Sequence, residues 1–156
     1  MINTITIQSP IKNCGKSCEK ILRALPEWFG IENSLIQYAK DADVMPTMLV
    51  KDNNKDVGFL TINKHFPESA EIHCMGILPR YHRKGIGKLL IKKLENYLVK
   101  EGVKILQVKT VSAGRDCSAY AKTRAFYKAV GFIQLEVFPD LWDKANPLIA
   151  TLISDI

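Results

Sequence analysis

Alternating or short apolar stretches recur along the 156-residue chain, and between them apolar residues repeat every three or four positions. The first pattern is typical of strands and the second of amphipathic helices. The short stretches predict strands at Ile2–Ile7, Thr47–Val50, Val57–Asn63, Ala70–Ile77, Ile105–Val111, Phe132–Phe138 and Leu148–Ile153. The longer repeat predicts helices at Ser17–Leu25, Ile31–Ala42, Lys84–Glu101 and Ala119–Val130. Polar segments predict connections at Lys51–Asp56, Ser112–Ser118 and Pro139–Pro147. Ser17 is a candidate N-cap of the first helix, and Gly102 is expected to end the third helix.

The longest predicted helix defines the topology. Because it separates Ala70–Ile77 from Ile105–Val111, these two strands are expected to run parallel in a right-handed βαβ unit. The strands before it follow one another through short turns, which favours antiparallel pairing. The chain carries no repeat or linker, so residues 1–156 are predicted to form a single domain.

The turn before the long helix combines glycines with basic side chains. Gly85 and Gly87 are two residues apart, and the basic residues around them are Arg80, Arg83, Lys84 and Lys88. A strand that ends in such a turn and opens a helix directs free backbone N–H groups at one point, where the helix dipole favours an anion. The pattern indicates a phosphate or pyrophosphate site, although its spacing matches neither Gly-x-Gly-x-x-Gly nor Gly-x-x-x-x-Gly-Lys-Ser/Thr. The alternative is a basic surface turn without a ligand.

Composition narrows the classes of partner. The formal net charge of +6 favours anionic partners, or it serves solubility alone. Only 8% of residues are aromatic, and they are not interleaved with basic residues as a nucleic-acid stacking surface requires. We therefore expect no nucleic-acid partner.

Cysteine usage and hydropathy bear on metals and membranes. Cys14, Cys18, Cys74 and Cys117 lack the spacing of metal ligands, so we expect no metal and read them as free thiols. There is no signal-peptide pattern and no apolar run of the length that spans a bilayer. A cytoplasmic protein without membrane association is the expectation.

Two segments resemble signatures of the GNAT superfamily of acyl-CoA-dependent N-acetyltransferases. Residues Ile77–Gly87 are similar to its pyrophosphate loop, Gln/Arg-x-x-Gly-x-Gly/Ala, and Thr123–Phe132 are similar to its Ala-x-x-Phe/Leu-Tyr-x-x-x-Gly-Phe signature. The two segments are separated by a helix and a strand in the family's order. The resemblance extends over nearly the whole chain.

The resemblance implies a fold and a co-substrate. The fold is α/β (α+β): a GNAT-like mixed, mostly antiparallel sheet of six to seven strands, with a central parallel βαβ pair splayed to hold acetyl-CoA and helices on both faces. The pyrophosphate of acetyl-CoA would bind the N–H groups of the basic turn, and its pantetheine arm would pair with the end of the preceding strand. The implied cofactor-binding residues are Met75, Ile77, His82, Arg83, Lys84, Gly85, Ile86, Gly87, Lys88 and Phe126.

Two residues depart from the family pattern. His82 stands where Gln or Arg is usual, and binding should survive because backbone amides do most of the phosphate holding. Tyr120 stands where many members have Asn, which puts any contact of that Asn in doubt but not the fold.

The resemblance also implies catalytic roles. Tyr127 matches the tyrosine that protonates the departing thiolate, and a phenol is protonated at neutral pH. Glu71, on the strand that leads to the acetyl site, is the candidate base, directly or through water. The alternatives are a core aromatic for Tyr127 and one side of a salt bridge for Glu71, with His73 as a reserve base.

Acceptor binding is implied for Glu27, Trp28 and Phe29, since aromatic walls with a carboxylate suit a cationic amine. The two aromatic residues could equally plug the core, and Trp142 could close the same site or cover a sheet edge. The implied activity is direct acetyl transfer from acetyl-CoA to a primary amine, without an acetyl-enzyme. The alternatives are a coenzyme A-binding regulatory domain without turnover and, least favoured, a basic nucleic-acid-binding module. The resemblance also suggests a homodimer, and the sequence leaves the amine and the acyl-chain preference open.

Overall fold

The computed structural model describes residues 4–111, 117–143 and 146–154. Its strands are β1 (Ile5–Ile7), β2 (Thr47–Asp52), β3 (Lys55–Phe66), β4 (Ser69–Ile77), β5 (Ile105–Val111), β6 (Ile133–Asp143) and β7 (Asn146–Ser154). Its helices are α1 (Gly15–Arg23), α2 (Glu32–Val44), α3 (Ile86–Lys100) and α4 (Ser118–Ala129), with a 3₁₀ turn at Pro79–Tyr81. The mixed α/β class and the mostly antiparallel pairing are as predicted.

The first of two compact units holds Met1–Asn63 and His73–Glu95. Its strands lie in the order β1, β2, β3, β4, and the first two pairings are antiparallel. Helix α1 presents apolar residues three and four positions apart, and these pack with α2 and the sheet into one core. The buried members of that core are Cys14, Cys18, Ile21, Leu22, Leu25, Leu35, Ala42, Leu49, Phe59 and Cys74.

Helices α1 and α2 pack closely at Gly15. A Cβ at this position would lie 2.6 Å from Asp43 Oδ2 and 2.7 Å from the carbonyl oxygen of Ala39. The Gly15 N–H instead donates to Asp43 Oδ1 at 2.8 Å. A side chain here would therefore force the two helices apart.

The second unit holds Lys64–Ile72 and Asn96–Ile156, within which β5 lies between β4 and β7, and β6 pairs with β7. Ser69–Ile72 of β4 pair with Ile105–Val108 of β5 in a parallel ladder, which confirms the predicted parallel pair. Both strands continue past the last paired residues. On the other side, β5 pairs antiparallel with β7 along its full length, from Ile105↔Ser154 to Val111↔Leu148.

Three predicted boundaries are wrong, each because pairing or tertiary contact overrides the local pattern. The Lys51–Asp56 turn is mostly paired strand, and only Asn53 and Asn54 form the turn. The Pro139–Pro147 loop is shorter than predicted, since β6 runs to Asp143 and β7 begins at Asn146.

The third wrong boundary is the Ser17 N-cap. Helix α1 begins at Gly15, and the Ser17 hydroxyl donates to Asp56 Oδ2 at 2.6 Å instead. Gly102 ends α3 as predicted, with φ +81° and its N–H on the Val99 carbonyl at 3.1 Å. Ile2, most of the predicted Ser112–Ser118 loop and the side chain of Trp142 lie outside the described residues.

Candidate functional site

The segment from Pro79 to Lys88, here called the basic loop, connects β4 to α3. The 3₁₀ turn closes when the Tyr81 N–H donates to the Leu78 carbonyl at 2.9 Å. Two left-handed residues follow, Arg83 at φ +58° and Gly85 at φ +79°. The first helical bond of α3 then runs from the Leu89 N–H to the Gly85 carbonyl at 3.1 Å.

The basic loop presents groups that suit an anion. Helix α3 begins at Ile86, so the N–H groups of its first turn have no carbonyl of the same helix to bind. Arg83, Lys84 and Lys88 are exposed beside them. A helix start with neighbouring cations binds phosphate groups well, and all the loop residues singled out in the sequence lie in this one segment.

His82 has a role that the sequence did not indicate. Its Nε2–H donates to the carbonyl oxygen of Ile77 at 2.5 Å, which fixes the tautomer. Its ring also meets Trp28 edge to face, with centroids 5.7 Å apart. His82 therefore joins the basic loop to the end of β4 and to the segment that follows α1.

Tyr81 anchors the same loop to the β2–β3 hairpin. Its hydroxyl donates to Asp52 Oδ2 at 2.6 Å. Hydrogen bonds from Thr4 and then Tyr81 hold the pKa of Asp52 below its usual range. Arg80 and Lys84 lie over the Tyr81 ring at 5.5 and 5.9 Å from its centroid, so two of the loop's cations are gathered around one aromatic ring.

The second half of β4 carries Met75 and Ile77, both half-buried. Gly76 between them faces the core, where a Cβ would lie 3.0 Å from Leu25 Cδ1 and 3.1 Å from Phe59 Cε1. The alternation of the strand therefore turns Met75 and Ile77 to the opposite side.

His73 shares that side of β4 and is paired with a residue that the sequence did not single out. Its Nε2 lies 2.7 Å from Asp41 Oδ2 on α2. The ring of Tyr38 packs edge-on against His73 at 5.5 Å and against Phe29 at 6.0 Å. Contacts between residues 32 positions apart leave no local signature in the sequence.

Glu71 is buried, with only 8% of its side chain exposed. Its Oε1 lies 2.6 Å from His65 Nε2 and accepts a bond from Lys109 Nζ at 3.3 Å. The carboxylate is thus held by an imidazole from β3 and an ammonium from β5. Sequence reasoning raised a salt bridge as the alternative role of Glu71 but did not identify either partner.

Tyr127 lies in α4 and is 7% exposed. Its ring meets Phe126 at 5.3 Å and Phe132 at 5.2 Å, both edge to face. The Phe132 N–H donates to the Tyr127 carbonyl at 2.9 Å, just after Gly131 turns the chain at φ +106°. Phe126, Tyr127 and Phe132 of the second signature therefore form one aromatic cluster.

The segment between α1 and α2 carries Glu27, Trp28 and Phe29. Glu27 is exposed, whereas Trp28 and Phe29 are half-buried and pack against the core of the first unit. Arg23, at the end of α1, donates to both oxygens of Glu32 at 2.8 and 3.1 Å and thereby clips the two ends of this segment together. The sequence did not indicate this clip.

Among the side chains that the structure describes, no three His, Cys, Asp or Glu residues are grouped as metal ligands. None of the helices in the described ranges is long and apolar enough to cross a membrane.

Comparison with known proteins gives a consistent family. A family model described as the acetyltransferase (GNAT) family matches residues 17–132. An uncharacterized N-acetyltransferase of Chlorobaculum tepidum is 33% identical over 89 residues, which are 55% of this chain and 50% of that protein. The chain thus spans about half the length of the curated relative it matches.

Solved structures share the fold at low identity. Ard1 of Thermoplasma volcanium is 14% identical with a TM-score of 0.77, covering 98% of this chain and 99% of its own. The Escherichia coli ribosomal-protein-S18-alanine N-acetyltransferase is 18% identical with a TM-score of 0.76, covering 97% and 94%. A GNAT family acetyltransferase of Elizabethkingia anophelis with acetyl-CoA bound is 17% identical with a TM-score of 0.74, covering 97% and 99%.

Proposed function

The chain belongs to the GNAT acetyltransferase family, and from this premise we propose that residues 1–156 act as one N-acetyltransferase domain. The reaction is transfer of the acetyl group of acetyl-CoA to a primary amine by direct attack. The observation that carries the proposal is the basic loop, in which two left-handed residues and exposed cations precede the start of α3.

The basic loop is the proposed pyrophosphate site. The residues from Arg83 to Lys88 supply backbone N–H groups, and Arg83, Lys84 and Lys88 supply charge. The pantetheine arm is proposed to run beside Met75 and Ile77, where β4 continues beyond its ladder with β5. Phe126 is proposed as a further residue that binds the coenzyme. The Elizabethkingia protein, which shares the fold, was solved with acetyl-CoA bound, and this supports acetyl-CoA as the ligand.

Tyr127 is proposed as the general acid. Collapse of the tetrahedral intermediate expels coenzyme A as a thiolate, and the buried phenol of Tyr127 is the proposed proton donor. The edge-on packing of Phe126 and Phe132 fixes the ring, which leaves the hydroxyl as the only polar group of that cluster's three side chains.

Glu71 is proposed as the base that takes a proton from the ammonium form of the acceptor, directly or through water. The hydrogen bonds from Lys109 and the contact with His65 hold the carboxylate in one place. Positioned bases of this kind commonly contribute about 10²- to 10⁴-fold to a rate.

Glu27, Trp28 and Phe29 are proposed to receive the amine. An exposed carboxylate beside two half-buried rings suits a cationic group, through charge and through the faces of the rings. The ion pair between Arg23 and Glu32 would hold this segment in place whichever amine binds.

The test measures release of coenzyme A thiol from acetyl-CoA with three probes: spermidine, a lysine-containing peptide and a peptide with a free N-terminal alanine. Tyr127→Phe and Glu71→Gln should each lower kcat by about 100-fold. Tyr97→Phe is the matched control, because the Tyr97 hydroxyl donates to the exposed Glu101 just after α3, at 3.3 Å, and lies in neither signature. Binding of acetyl-CoA without turnover of any probe would favour a regulatory coenzyme A-binding domain instead.

A further inference from the structure

We propose that His65 carries the proton from Glu71 to solvent during each turnover, so that the base is restored by an imidazole at the surface. This inference rests on the proposed acetyl transfer and adds a residue to it. His65 lies on β3 outside both sequence signatures, and its position six residues before Glu71 has no counterpart in the motifs.

The balance of the reaction requires a proton exit. An ammonium acceptor and acetyl-CoA give an N-acetyl amine, coenzyme A thiol and one proton. The thiolate regains a proton at sulfur, whereas the proton taken from the ammonium group must leave the site. If Glu71 accepts that proton, its carboxyl group stays protonated until another group removes the proton.

Glu71 is poorly placed to lose a proton directly to water, since 8% of its side chain is exposed. His65 is 33% exposed and its Nε2 lies 2.6 Å from Glu71 Oε1. This distance is within the range for direct proton transfer along a hydrogen bond. The imidazole therefore contacts the buried carboxylate with one nitrogen while its ring reaches the surface.

The other charged contact cannot serve this purpose. Lys109 Nζ lies 3.3 Å from the same oxygen, but an ammonium group has three donors and no acceptor. It can hold the carboxylate in place, but it cannot receive a proton. Imidazole has two nitrogens, of which one accepts while the other donates.

The steps conserve protons and electron pairs. The N–H bond of the acceptor breaks, its electron pair stays on nitrogen for the attack on the thioester, and an O–H bond forms on Glu71. That O–H bond then breaks as Nε2 of His65, in the tautomer protonated at Nδ1, takes the proton. The imidazolium then releases its Nδ1 proton to water, which leaves neutral His65 donating Nε2–H to ionised Glu71. Proton exchange with water returns the ring to the tautomer protonated at Nδ1 before the next turnover.

The experiment compares the His65→Gln and His65→Ala variants with the unsubstituted protein, using acetyl-CoA and the best of the three amine probes. Glutamine can still donate a hydrogen bond to Glu71 but cannot shuttle a proton, whereas alanine leaves room for a small base. In dilute buffer both variants should lose about 10- to 100-fold in kcat with little change in KM for the amine, at or below the lower end of the about 10²- to 10⁴-fold that general acid–base groups supply. Added imidazole should restore much of the kcat of His65→Ala and leave the wild type unchanged.

The control is Lys104→Gln, which removes an exposed ion pair with Glu68 in the same unit and should change neither kcat nor its buffer dependence. Full kcat in His65→Gln, or a loss in His65→Ala that imidazole does not restore, would overturn the relay while leaving the acetyl transfer intact. A wild-type enzyme that turns over none of the amines would remove the proposed function, and the relay with it.

Discussion

Two glycines with nearly the same backbone allow the basic loop to be tested against a matched control. Gly85 in the loop has φ +79°, and Gly102 after α3 has φ +81°. At both positions a Cβ would meet no atom of the described residues within 4 Å. Alanine at either site therefore introduces the same backbone strain and no steric clash.

The size of the effect follows from this geometry. A left-handed residue with a Cβ costs about 1–2 kcal/mol. The lower entropy of alanine in the unfolded chain returns about 0.4–1 kcal/mol. Gly85→Ala and Gly102→Ala should each lower the free energy of unfolding by roughly 1 kcal/mol, and by similar amounts.

Binding of acetyl-CoA should separate the two variants. If the backbone of the basic loop holds the pyrophosphate, relaxation of the strained residue moves the N–H groups, and binding must restore them. A cost of about 1–2 kcal/mol corresponds to roughly a 5- to 30-fold higher Kd for Gly85→Ala. Gly102→Ala should bind as the wild type does.

Calorimetric titration with acetyl-CoA gives the Kd, and urea unfolding followed by circular dichroism gives the stability. The proposed pyrophosphate site in the basic loop is contradicted if Gly85→Ala binds acetyl-CoA as tightly as Gly102→Ala, or if both variants bind it weakly. Unequal losses of stability would show that the two backbone sites are not equivalent and that the comparison of Kd values needs a different control.

Three further predictions concern stability. Thr47 and Thr61 are fully buried with their hydroxyls 3.1 Å apart, so Thr47→Val should cost about 1–3 kcal/mol in urea unfolding by leaving a hydroxyl without its partner, and Thr61→Val in the same chain should recover part of that loss. Gly76→Ala should cost about 1–3 kcal/mol in urea unfolding, because its Cβ would lie 3.0 Å from Leu25 Cδ1 and 3.1 Å from Phe59 Cε1. Burial would raise the pKa of Asp56, but hydrogen bonds, the larger from Lys51, lower it overall. The stability that this lowered pKa contributes is present above the unfolded pKa and is lost as pH falls through the folded pKa. Asp56→Asn should therefore flatten the acid side of the curve of unfolding free energy against pH.

The elements were predictable where the pattern is local. Helix α3 shows its apolar period over 15 residues, and the strands before and after it are short apolar runs. The boundaries failed where pairing decides the outcome: Lys51 and Asp56 look like turn residues, yet they face each other in the β2–β3 ladder. Cross-strand hydrogen bonds extend a strand beyond the run that marks it.

The candidate site also has one part that the sequence predicts and another part that it does not. The basic loop is one continuous segment, so its residues could be listed from the sequence, and its glycines carried the backbone signal. The partners of Glu71 could not, because His65 and Lys109 reach it from separate strands. The alternation of side chains along a strand could have indicated Lys109. Once β4 and β5 are aligned in parallel, Gln107 stands opposite Glu71 and Lys109 follows on the same face.

His82 shows how a departure from the family signature can be absorbed by the surrounding structure. The imidazole donates to the Ile77 carbonyl at 2.5 Å and meets Trp28 at 5.7 Å. Because its Nε2–H is bound to the Ile77 carbonyl, the side chain connects the basic loop to β4, and its ring connects the loop to the proposed acceptor segment. The N–H groups from Arg83 to Lys88 can bind an anion without it, since they depend on backbone conformation and on the start of α3. His82 therefore fixes the loop with one hydrogen bond and one aromatic contact.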